Sequence, residues 1–196
     1  PKAYARWNFA EGLQDQEGNL HGSARPGYVE SAPLDRDLKE KTLEAWVKLE
    51  NLDQKGGGAI GVQAPDGSLF DAIVFGEREA RRWMAGSNFY ARTQSFGGAA
   101  EADATARAVH VAIVYHADGT ITGYREGRPY GAPYKSAGLQ PFKAGEARVV
   151  FGVRHTPPGG NKMLSGSIAR AALYDRALGA AEVAASAGVA EPSEAE

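Results

Sequence analysis

Leu43-Glu44-Ala45-Trp46-Val47-Lys48-Leu49 is the stretch that decides the fold class. Leu43, Ala45, Val47 and Leu49 recur at every second position, which puts them on one face of a β-strand with Glu44, Trp46 and Lys48 opposite. A strand with one apolar face has to bury it against a second layer. Val109 to Tyr115 repeats the pattern with Val109, Val111, Ile113 and Tyr115, reaches Ala117-Asp118-Gly119, and returns as Thr120 to Arg125, the signature of a hairpin. Glu126-Gly127 then offers a turn before Arg128-Pro129-Tyr130, where Pro129 marks an edge or a strand end.

Outward from these runs, further strands are expected over 3–9, 59–63, 70–75, 148–153 and 165–174, separated by turns rich in glycine and proline. The 25 glycines suffice for that many turns. A helical pattern occurs over 177–187, where Leu178, Val183 and alanines fall at helix spacing before Gly188. Many short strands with almost no helix read as an all-β sandwich or barrel, and no fixed-period repeat supports a propeller. One domain over residues 1–188 is expected, followed by an acidic tail or linker at 189–196 that holds Glu191, Glu194 and Glu196.

Composition removes several classes. With 43% hydrophobic and 23% charged residues the chain is an ordinary globular one, and a net charge of −2 offers no basic face for nucleic acid. Arg78, Arg81 and Arg82 alternate with Glu77 and Glu79 and read as a solvated edge. The absence of cysteine excludes disulfides, thiolate zinc sites and a cysteine nucleophile. No stretch is apolar enough to span a bilayer, so direct membrane insertion is not expected. The start at Pro1-Lys2-Ala3 reads as that of a fragment cut from a longer protein.

Four segments carry a family resemblance. Tyr4-Ala5-Arg6-Trp7-Asn8-Phe9 with the loop Asp15-Gln16-Glu17-Gly18-Asn19-Leu20-His21-Gly22, the strand around Trp46, and the hairpin from His110 to Gly131 appear in that order. Leu164 to Leu178, the most specific stretch, closes the series as a last strand leading into a short helix. Together they resemble the laminin-G-like, concanavalin A-like lectin/glucanase domains of large multidomain bacterial proteins, including those of planctomycete type. The resemblance implies a two-sheet antiparallel jelly-roll sandwich with one short C-terminal helix. It also implies an extracytoplasmic setting at the periplasm or cell surface, and a glycan, glycoprotein or neighbouring domain as partner.

Enzymatic readings find little support. Glu101-Ala102-Asp103 begins the acid cluster of the related glucanases but continues as Ala104-Thr105-Ala106, so the third carboxylate is missing and no catalysis is expected. Gly56, Gly58 and Gly61 satisfy G-x-G-x-x-G, yet they lead into the turn Ala64-Pro65-Asp66-Gly67, not into a helix that could hold a pyrophosphate. The four histidines lack zinc-protease spacing.

Binding residues are expected in three places. Asp15, Glu17 and Asn19 alternate oxygen ligands in a turn, a pattern that suits Ca2+, and Asp15 with Asn19 is the candidate metal pair; related domains add an acid from the last strand, where this chain has Ala169. Trp83, Tyr90 and Arg92 lie in an aromatic segment able to stack on a pyranose while bonding its hydroxyls. Arg154, His155 and Asn161 lie in a second loop that could reach the same rim. Trp83 and Phe89 have an alternative reading as core residues. The leading functional expectation is a noncatalytic carbohydrate-binding module, and the alternative is a structural domain packing on its neighbours.

Overall fold

The computed structural model describes residues 1–188, so the acidic tail expected at 189–196 lies outside the described residues. In chain order the strands are β1 (Ala5–Asn8), β2 (Gly22–Arg25), β3 (Tyr28–Ser31), β4 (Lys41–Leu49), β5 (Gly57–Gln63), β6 (Phe70–Phe75) and β7 (Trp83–Ser87). Then follow β8 (Val109–Tyr115), β9 (Thr120–Arg125), β10 (Arg128–Pro129), β11 (Tyr134–Lys135), β12 (Arg148–Phe151) and β13 (Gly166–Tyr174), and the helix α1 (Ala180–Ala187). One sheet runs β1-β13-β4-β8-β9-β10 with β11 also on β9, and the other runs β2-β3-β12-β5-β6-β7. The pairings are antiparallel, and the two sheets stack as a jelly-roll sandwich.

The period-two alternation of β4 positions the core. Leu43, Ala45 and Val47 of β4 lie opposite Ile113, Val111 and Val109 of β8 and opposite Leu173, Ala171 and Ile168 of β13, with a bulge between Ile168 and Arg170. These side chains meet Ile60, Val62, Ile73, Phe75, Trp83, Val149 and Phe151 from the second sheet in one apolar layer. Trp7 joins them edge-on to Phe151 at 4.7 Å between ring centroids. Each such fully buried large side chain contributes about 1.5–3 kcal/mol through removal of apolar surface from water.

The opposite face of β4 is not left to solvent. Glu44 is buried beneath α1, where its Oε2 accepts from Ser186 Oγ at 2.9 Å and from Tyr174 at 3.1 Å. His110 Nδ1 accepts from the Gly127 amide, which leaves Nε2 as the donor to Glu44 Oε1 at 2.7 Å. A smaller apolar cluster of Ala112, Val114, Tyr124, Leu178 and Val183 completes this cover. The helix starts at Ala180, later than its sequence pattern, after Gly179, whose extended backbone (φ −75°, ψ 163°) makes it the N-cap. Glu40 accepts from Ala177 N and Thr42 from Leu178 N, each at 3.0 Å.

The largest departure from expectation is β7. Trp83 to Ser87 forms a wholly buried edge strand paired with β6, where no strand was expected. Among the described residues no helix is long and apolar enough to cross a membrane.

Candidate functional site: the outer face of β5–β7

The connection from β12 to β13 doubles back as a strap over the outer face of the second sheet. Arg154 lies over Gly58 of β5, where any Cβ would collide with the Arg154 backbone, so the glycine-rich motif serves this close approach and not a phosphate. Farther along, Thr156 receives the Gln63 side chain at 2.6 Å and its amide donates back to Gln63 at 2.8 Å. Between these anchors His155 stacks on Phe70, ring centroids 4.3 Å apart. Its Nδ1 donates to the Thr156 carbonyl, leaving Nε2 as a hydrogen-bond acceptor, and burial holds its pKa below the usual imidazole range.

Arg154 turns toward the next strands. Its guanidinium donates to the Gly56 carbonyl at 3.1 Å, meets Asn161 Oδ1 at 3.4 Å and pairs with Glu77 at 3.3 Å. Glu77 reaches back along the sheet above Gly86, with Oε2 buried and unpartnered, and burial raises its pKa above the carboxylate norm. Phe70, Ala72, Val74 and Met84 form the apolar floor of this face.

The expected ligand contacts divide sharply. Trp83 is a core residue, 2% exposed, with its indole N–H donated to Glu101 at 2.7 Å; the strand period turns it inward. Arg92 is likewise withdrawn, because Nε bonds Asp71 Oδ1 at 2.7 Å and Nη2 bonds Asn88 Oδ1 at 2.8 Å. Arg92 was expected on the rim, and Trp83 either there or in the core; the polar groups of both are committed inside the fold. Tyr90 is 47% exposed, and its neighbour Phe89, with a core reading among its expectations, is 93% exposed. His155 and Arg154 are half-buried parts of the strap, while Asn161 is exposed.

The segment Ser87 to Thr93 explains that exposure. Phe89 and Tyr90 have φ of 53° and 55°, a left-handed conformation that costs roughly 1–2 kcal/mol for each non-glycine residue. It persists because the flanks are fixed. Asn88 Oδ1 accepts from Phe70 N and Arg92, while Ser87 Oγ accepts from Arg92 N at 2.9 Å and shares a bond with Thr93. The two aromatic rings are thereby held outward, and Arg78 lays its guanidinium over the Tyr90 ring at 4.4 Å. Arg78, expected as part of a solvated edge, thus lies against the aromatic segment, and Phe89, which had no expected ligand role, is its most exposed ring. Both loops expected at the rim do meet on this face, through Phe70 and Glu77.

The candidate metal pair is bonded within its own loop. Asp15 is buried and spends Oδ1 on Leu20 N at 2.9 Å and Oδ2 on Asn19 N at 3.0 Å, while Asn19 donates its amide to the Tyr4 carbonyl at 2.6 Å. These residues close their own loop. Among the described residues there is no group of three or more histidine, cysteine or acidic side chains placed to hold a metal.

Glu101 is also committed. It accepts two bonds from Arg125 at 2.8 Å, the Trp83 indole and the amides of Ala102, Asp103 and Ala104. Burial alone would raise its pKa, but these donors outweigh it and hold the carboxyl at about 2, the wrong direction for a general acid near neutrality. Elsewhere, a cleft of about 380 Å³ between the sheet edges is lined by Phe9, Tyr28, Phe151, Leu164 and Ile168. Arg25 stands there tied to Glu30, so the cleft is mainly apolar.

Comparison with known proteins agrees with this architecture. Residues 23–184 match the laminin-G-type family described as the concanavalin A-like lectin/glucanases superfamily. Domain 4 of AbnA, an extracellular arabinanase from Geobacillus stearothermophilus solved with arabinotriose, is similar over 95% of this chain and 98% of that one, with 17% identity and a TM-score of 0.67. The CBM40 of the Ruminococcus gnavus IT-sialidase, bound to α2,3-sialyllactose, aligns over 77% of this chain and 84% of that one, with 13% identity and a TM-score of 0.54. The binding domain of botulinum neurotoxin serotype G aligns over 96% of this chain and 51% of that one, with 11% identity and a TM-score of 0.62. No curated protein matches the chain in sequence. The match over 23–184 and the two-sheet topology together make this chain a member of the concanavalin A-like lectin/glucanase superfamily, of laminin-G type.

Proposed function

We propose that this domain is a noncatalytic carbohydrate-binding module of a larger exported bacterial protein, with its glycan held on the outer face of β5–β7 around Phe89 and Tyr90. The observation that carries the reading is the pair of outward aromatic rings on a backbone fixed in an unfavourable conformation. Fully exposing a phenylalanine forgoes about 1.5–3 kcal/mol of burial, and rigid segments of this kind concentrate at binding sites. An aromatic face covers the apolar face of a pyranose, while His155 Nε2 and Asn161 on the strap offer groups for its hydroxyls. Solved relatives that contain arabinotriose or sialyllactose support a sugar as the ligand class.

The noncatalytic part of the proposal rests on Glu101, whose oxygens are occupied by donors and whose pKa is depressed. A second reading, packing against a neighbouring domain, draws on the apolar cleft beside Phe9, Tyr28 and Phe151. A glycan array probed with the purified domain separates the two. Reproducible binding to a defined glycan, unchanged by chelator, supports the module; no binding across the array removes it and leaves the packing role.

A further inference from the structure

The carbohydrate reading leaves the kind of sugar open, and Arg78 narrows it. Among the described residues Arg78 makes no ion pair and no hydrogen bond, although acids stand near it in sequence. Glu77 is turned to Arg154, and Glu79 Oε2 accepts from Ser95 Oγ at 2.8 Å. Arg81, by contrast, is paired with Asp53 at 3.1 Å. Arg78 is thus an exposed guanidinium whose only specific contact is the ring face of Tyr90.

Stacking uses the face of the guanidinium plane and leaves its in-plane N–H groups free. Those five donors form a fork that matches the two oxygens of a carboxylate. The ring beneath fixes the orientation of the fork, so little rotamer freedom remains to be lost when an anion binds. Phe89 presents an open aromatic face beside it, on the residue adjacent to Tyr90.

We infer that the Phe89–Tyr90–Arg78 arrangement selects an acidic sugar residue, with the sugar ring stacked on the exposed aromatics and its carboxylate gripped by Arg78. This inference rests on the carbohydrate reading of the same face. Of the charged groups around it, Glu77 and Arg154 pair with each other and Glu79 accepts from Ser95, so the guanidinium of Arg78 keeps its donors for an anion.

The test uses the whole domain and an array that pairs uronate- or sialate-bearing glycans with neutral ones, followed by titration of the strongest acidic binder and of its carboxyl-reduced form. Carboxyl reduction should weaken binding about tenfold or more, the range for a charge-assisted bidentate contact. Arg78→Gln should weaken the acidic glycan by a similar factor while changing a neutral one little. Arg78→Lys should restore only part of the loss, because lysine lacks the fork. Both variants alter an exposed side chain, and a thermal melt confirms that they fold. Binding that is equal for the acidic glycan and its carboxyl-reduced form, or indifferent to Arg78→Gln, overturns the acidic-sugar assignment and leaves the module standing. Absence of binding to every glycan overturns both.

Discussion

Arg92 and Asp71 form an ion pair inside the sandwich, Nε to Oδ1 at 2.7 Å, and the second oxygen of the same carboxylate receives the ammonium of Lys41 at 2.8 Å. The Lys41 and Asp71 side chains have no solvent exposure, and Lys41 also lies over the Tyr115 ring at 4.1 Å. Through Arg92 this triad anchors the turn that carries Phe89 and Tyr90. One carboxylate therefore links the buried end of the core to the outermost aromatic rings.

Asp71→Asn should be strongly destabilising, because it leaves two cations facing a neutral amide out of water. The expected loss is about 3–5 kcal/mol in urea unfolding. Arg92→Ala should likewise lower stability in addition to altering binding, since the rim role expected of it has given way to an internal one. A midpoint unchanged for both variants would show that the triad does not hold the fold.

Acid unfolding should report on Glu101. Its pKa is about 2 in the folded state against an ordinary value of 4.5, so its contribution is fully present above about pH 4.5 and is lost as the pH falls toward 2. A shift of this size corresponds to about 3–4 kcal/mol. Glu101→Gln should be less stable at pH 7 and should flatten the fall in stability over that window. A parallel pH dependence in the two proteins would contradict the assignment.

Calcium should leave the melting temperature unchanged, because the oxygens of Asp15 already serve backbone amides. Asp15→Asn removes an acceptor from a buried loop and should cost about 1–3 kcal/mol whether or not calcium is present. Stabilisation that rises with calcium concentration would restore the metal reading.

Phe89→Ala should affect stability by about 0.5 kcal/mol or less, as is usual for an exposed side chain. Its glycan affinity should nevertheless fall about threefold to tenfold with the loss of an aromatic contact. Phe89→Gly should fold at least as well, since glycine accepts the left-handed conformation without strain, and should bind as weakly as the alanine variant. Full binding by a folded Phe89→Ala protein would remove the ring from the site.

Much of the sandwich was legible because a period of two is a local signal: β4, β6, β8 and β9 lie where Leu43, Phe70, Val109 and Thr120 begin their runs. The hairpin of β2 and β3 was not, since Gly-Ser-Ala-Arg carries no alternation and is held as a strand by pairing with Tyr28 to Ser31. The site was legible only as a neighbourhood. Tyr90 and His155 lie on the outer face as its aromatic and polar composition suggested, but Trp83 and Arg92 face the core. Arg92 is buried because Asp71 awaits it from another strand, and Phe89 is exposed because its backbone is left-handed. Neither a distant partner nor the sign of φ is written in local composition.

The most direct test of the proposed site is a titration of the 15N-labelled domain with an oligosaccharide that binds it on the array, followed by amide chemical shifts. The largest changes should fall at Asn88 to Ala91, at Arg78 and at His155. Changes confined to Phe9, Tyr28 and Phe151 around the apolar cleft would place the ligand elsewhere and contradict the assignment of the outer face of β5–β7.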